Sequence, residues 1–350
     1  MKKSILIVIA SLALASCTKS PTGTGTGGAI PNASVVYVVN QGNFGRGNSS
    51  LTAYYPDSGK AVTDVFKIVN GRNLGDTGND IEISAGKAYI VVNNSDKIEV
   101  MDAGTALWSG TIYYASGTGP YRIAIDARDN LGFVSDLTVN TVSVVNLVSN
   151  SLETDTIAVG NNPYGIAYAS GHVFVSNSGY GSGNSVSVID AVSMKVVGTV
   201  VVGGGPTDVV PDGNGYVWVD CPGNYGDDGK IFVLDAATFA VVDSIDTHGT
   251  LASFGGPALA IDQQRGAAYL IADSTVIKLD VKSHQLLNGS FISGSFFGLS
   301  VDESTGDIYL TDARDYQSNG EVYIYSTTGQ NTGKSFTAGV IPGAIAFQRE

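Results

Sequence analysis

Three histidines and two cysteines are the whole of the chain's imidazole and thiol supply. His172, His248 and His284 lie far apart, and none falls in an H-x-H or H-E-x-x-H spacing. His172 opens a predicted strand and His284 lies in a predicted turn, which makes both surface residues. Only His248 falls in a loop suited to recognition. The segment GNYGDDGK at 223–230 sets two carboxylates among glycines, yet it lacks the alternating oxygen ligands of a calcium loop and reads as a solvated turn. No G-x-x-x-x-G-K-[ST] run is present to cradle phosphate. The inventory therefore leads to an expectation of no catalytic residue, no metal site and no cofactor.

What the chain offers instead is a set of rings and guanidinium groups in glycine-rich loops: Phe44, Arg46, Arg72, Asn73, Tyr121, Arg122, Tyr164, Tyr180, Tyr225, Phe254, Phe296 and Tyr316. Such side chains combine apolar area with a polar or charged tip, which suits recognition of a small molecule or a protein surface. They form the candidate ligand-binding set. Tyr121 and Tyr164 each follow a proline that starts a predicted strand, so they occupy equivalent places in successive units.

The elements that must position these loops repeat along the chain. Residues 162–210 contain four short runs rich in Val, Ile, Tyr and Phe, separated by Gly, Asn, Ser and Pro, after which the pattern begins again. One marker closes the third run at Asp57, Asp102, Asn146, Asp190, Asp235, Asp280 and Ser326, with spacings of 44 to 46 residues. A second closes the second run at Asn40, Asn93, Asp136, Asn177, Asp220, Asp273 and Asp312. Both series are read as turn-stabilising Asx residues. Seven four-stranded units of this length predict an all-β, seven-bladed β-propeller. The chain enters one strand late, at Val36–Val39, and the missing first strand of that blade stands at the end as residues 342–347, so the last strand should close the ring in the first blade.

Lys2 and Lys3 precede an apolar run too short to span a bilayer, which marks an export signal over residues 1–16. The run ends Leu14-Ala15-Ser16-Cys17, which resembles the lipobox of bacterial lipoproteins and implies lipid attachment at Cys17. Cys221 is then left without a disulfide partner. Residues 17–33, rich in Thr, Gly and Pro, read as a flexible tether, and residues 34–350 as the propeller. The formal net charge of −13 argues against a nucleic-acid partner.

The segments YVVN at 37–40, VGNNPYGIAY at 159–168 and VSVIDAVS at 186–193 resemble the YVTN repeats of YncE-like and surface-layer-type propellers. NQGNFGRGNSSLTAYYPDSG at 40–59 is more narrowly similar to the propeller lipoproteins of Bacteroidota, some of which resemble proteins that capture cobalamin for a TonB-dependent transporter. The resemblance implies a lipid-anchored protein of the outer membrane, on its periplasmic or surface side. It would bind without catalysis, taking a small molecule such as cobalamin, or an outer-membrane transporter, at its loop face. The alternatives are a propeller-type enzyme, a lactonase or lyase, against which the missing histidine and acid constellation counts, and a structural or adhesive surface protein.

Overall fold

Alternation of large apolar and small residues produces seven four-stranded antiparallel sheets arranged as a β-propeller in the computed structural model, which describes residues 33–223, 229–247, 249 and 255–349. Blade 1 runs from its innermost strand Pro342–Arg349 through Ala33–Asn40 and Ser50–Tyr55 to Lys60–Val62. The innermost strands of blades 2 to 7 are Gly78–Ser84, Pro120–Asp126, Pro163–Ala169, Val209–Pro211, Leu259–Asp262 and Gly298–Asp302. Each touches the next, and the last touches Pro342–Arg349, so the ring is complete.

Closure is the expected one. Val36 pairs with Phe347, Tyr37 with Ala346 and Val38 with Ile345, so the first and last described strands share one ladder and no innermost strand is left as an open edge. Arg349 reinforces it by reaching Asp302 of blade 7 at 2.6 Å.

The core lies between blades rather than within them. Val35, Tyr37 and Val39 of blade 1 pack against Ala88, Ile90 and Val92 of blade 2, and Phe174, Val186 and Val188 of blade 4 against Val217, Val219 and Leu234 of blade 5. Each fully buried side chain of this size contributes about 1.5–3 kcal/mol of transfer free energy, available only when the neighbouring blade is present.

The two Asx series do different work. Asp102, Asn146, Asp190, Asp235 and Asp280 accept backbone N–H groups two or three residues on, as turn residues should. In the second series Asp312 also accepts an N–H two residues on, from Arg314, but others tie strands together: Asn40 donates to Ser50 and Thr52 while accepting Gly339 N–H, and Asn177 donates to Ser185 and Ser187 while accepting Gly160 N–H. A short helix, Val65–Asn70, is an addition to the all-strand expectation. It buries Val65 and Phe66 and stops at Gly71, whose φ of 70° suits a residue without a Cβ.

Candidate functional site

The seven innermost strands line an axial cavity of about 310 Å³. Most of its wall is aliphatic, as central strands require, but three blades bring charge to it: Asp80 and Glu82 from blade 2, Arg122 from blade 3, and Asp208 just before the innermost strand of blade 5. Among the described lining residues Arg122 is the only cation.

Backbone geometry fixes the two aspartates. Asp80 Oδ2 accepts the Ile123 N–H of the next blade at 2.9 Å, and Asp208 Oδ2 accepts the Ala258 and Leu259 N–H groups at 2.6 and 3.2 Å. Each carboxylate thus turns its Oδ1 toward Arg122, at 3.6 Å for Asp80 and 3.7 Å for Asp208. These separations hold an ion pair but exceed a good direct hydrogen bond, leaving room in the lone-pair directions. Arg122 is buried, and its Nε has no hydrogen-bond partner. A guanidinium desolvated and short of acceptors is costly unless something else meets it.

The Tyr121 and Tyr164 rings lie 4.3 Å apart and tilted by 45°, with the Arg122 guanidinium 5.8 and 6.0 Å from their centres. Tyr164 Oη donates to the Gly255 carbonyl at 3.4 Å, linking this end of blade 4 to the approach to blade 6. Burial works against the charge of Arg122, but Asp80 and Asp208 outweigh it and hold the pKa above the usual arginine value. Burial raises Asp80, with Arg122 and the Ile123 amide opposing. Glu82 has surface open to the channel. Enclosure by the channel wall, then the nearby Asp80, push its carboxyl up to about 8. Behind the site, burial and then Asp208 lift Asp220 well above the usual carboxylate range.

Of the twelve loop residues, Tyr121, Arg122 and Tyr164 come together here. Phe44, at 76% exposure, and the exposed Arg46 sit on a loop whose Gly45 and Gly47 N–H groups are held by Asp76. Tyr316 joins that rim, its carbonyl accepting from Asn43 at 2.7 Å. Tyr180 is half exposed in the turn Gly179–Gly181. Arg72 does not reach the channel: it makes a bidentate pair with the fully buried Glu99 of blade 2 at 2.7 and 2.8 Å, over the rings of Phe66 on the short helix and Trp108 on the outermost strand of blade 2. Asn73, beside it, is exposed. Phe296 folds against Tyr325 within blade 7. Tyr225, Phe254, His248 and Cys17 lie outside the described residues.

His172 and His284 lie away from the channel, the first bonded to the Ser170 carbonyl and the second to Asp243. The loop-based reading passed over Asp80, Glu82, Asp208 and also Phe297, whose ring lies beside Gly255 and Gly343 and meets Tyr316 edge-on. The signal was present in DIEIS at 80–84, where two carboxylates alternate inside a strand that must be central.

Residues 35–338 match a protein family described as Domain of unknown function (DUF5074). No curated protein matches the chain in sequence. Among solved structures the chain is similar to a quinonprotein alcohol dehydrogenase-like protein from Bacteroides thetaiotaomicron, with 17% identity, a TM-score of 0.69 and coverage of 90% of this chain and 78% of that one. It is also similar to a candidate 6-phosphogluconolactonase from Bacteroides fragilis, with 10% identity, a TM-score of 0.66 and coverage of 89% and 97%. A third likeness is to hydrazine synthase of Kuenenia stuttgartiensis, with 18% identity, a TM-score of 0.59 and coverage of 71% and 76%.

At these identities the likeness is one of fold. It nevertheless corrects the expectation of a non-catalytic binding protein, and with it the YncE and cobalamin framing, because several of the similar propellers carry enzyme names, while others carry none.

Proposed function

The chain belongs to the DUF5074 family, whose description assigns no activity, and we propose from the channel chemistry that it is a propeller-type hydrolase that opens a small lactone. The observation that carries this reading is Arg122: a buried guanidinium with an unpartnered Nε, set between two carboxylates in a cavity of small-molecule size. Fold relatives named as lactonases are consistent with it.

The residues divide the work. A lactone carbonyl oxygen meets Arg122, which stabilises the negative charge that develops there. Asp208 takes a proton from water as the water oxygen bonds to the carbonyl carbon. When the tetrahedral intermediate collapses, the bond from that carbon to the ring oxygen breaks and the ring oxygen takes the proton of Glu82. The product is the open hydroxy acid, and solvent returns the Asp208 proton to Glu82. Asp80 holds Arg122 from the other side, and its own position is set by the Ile123 amide.

The test is acid release in a pH-stat from a panel of 1,4- and 1,5-lactones, for the wild type and for folded Arg122→Ala. The expected loss in kcat is about 10²-fold or more. Absence of turnover across the panel, or an unaltered rate in Arg122→Ala, would overturn the proposal. As to location, the same reading places the enzyme on a membrane through lipid at Cys17, supported by the L-A-S-C sequence and the Thr/Gly-rich segment behind it.

A further inference from the structure

Resting on the lactonase reading, we infer that this channel selects a neutral polyhydroxylated ring, an unphosphorylated sugar lactone, and discriminates against the phosphorylated form. The charge of the wall carries the inference. One cation, Arg122, faces three carboxyl groups, Asp80, Glu82 and Asp208, and the remaining described lining residues are neutral. Asp80 and Asp208 already compensate Arg122, so a phosphate would enter without a cation of its own and beside like charge.

The same groups suit hydroxyls. Asp80 Oδ1 and Asp208 Oδ1 stand beyond good hydrogen-bond range of Arg122, so each has acceptor capacity for a sugar O–H. The Arg122 Nε–H is a donor in want of an oxygen. The cavity, at about 310 Å³, is at the small end for ligand sites and matches one monosaccharide-sized ring.

Initial rates with glucono-1,5-lactone and its 6-phosphate, measured with the purified protein, read the preference directly. Calorimetric titration with the hydrolytically inert gluconolactam and its 6-phosphate reads binding apart from turnover. The expected result is at least a tenfold higher kcat/KM for the neutral lactone and tighter binding of the neutral lactam. Equal or better use of the phosphorylated lactone overturns the inference and leaves lactone hydrolysis standing. Binding of the neutral lactam without turnover of either lactone does the reverse, and no binding of either lactam overturns the inference. Ser300→Lys adds a cation to the wall and is expected to raise kcat/KM for the phosphorylated lactone at least tenfold; no gain would show that charge does not set the preference.

Discussion

Arg122 of blade 3 lies 3.7 Å from Asp208 of blade 5, although blade 4 stands between their strands. Blade 4 contributes Gly165 at this point, where a Cβ would press on the Thr207 carbonyl oxygen and come within 3.0 Å of Asp208 Cα. The missing side chain lets the neighbouring backbone pack close, while Ser176 Oγ bonds both Gly165 N–H and the Thr207 carbonyl.

Gly165→Ala is therefore expected to push blade 5 outward, costing about 1–3 kcal/mol as overpacking does. It should weaken the Arg122–Asp208 pair. A lower melting temperature with reduced kcat/KM is the expected outcome, and wild-type values for both would refute the account.

Lactone hydrolysis is expected to fall as pH rises through about 8, where Glu82 loses the proton it donates. Glu82→Gln should remove that alkaline limb and lower kcat about 10²-fold. A pH–rate profile of the two proteins tests it, and an unchanged limb in the variant would exclude Glu82 as the acid.

Asp136 occupies the strand-tying position filled elsewhere by Asn40 and Asn177, but as an acid. Its Oδ2 accepts from Thr141 and Ser143, its Oδ1 is buried without a partner, and burial raises its pKa from 3.8 to about 6. Because the folded value is the higher, the stability contributed by its proton is full below about pH 4 and is lost as pH rises through about 6. Asp136→Asn should raise stability by roughly 1–3 kcal/mol at pH 8 and little at pH 4. Melting curves at the two pH values check this, and no gain at pH 8 would contradict it.

Removing residues 341–350 takes away the innermost strand of blade 1 and with it the ring closure. Two neighbouring blades then lose a buried face, so a cooperative thermal transition should disappear. A truncated protein that melts like the intact one would rule out closure by this strand as the source of stability.

Cys17→Ser should move the protein from the membrane to the soluble fraction of cells. Unchanged fractionation, with a mature N-terminus of unmodified mass, would show that no lipid is attached there.

The number of blades, their four-strand make-up and the displaced closing strand were legible in the chain because they rest on local, repeated signals: alternation of period two, turn residues, and markers recurring every 44 to 46 residues. That Tyr121 and Tyr164 lie side by side was legible for the same reason, since they occupy equivalent positions in neighbouring repeats. What the chain could not declare was distance from the axis. Arg72 and Arg122 both look like loop guanidinium groups in sequence, yet one is spent on Glu99 among outer strands and the other stands buried in the channel. Asp80 and Glu82 share one strand of blade 2 while Asp208 belongs to blade 5, and only the closing of seven blades into a ring brings them around one cavity. That convergence also sets their proton affinities, because enclosure and a neighbour's charge, not residue type, raise Glu82 to about 8.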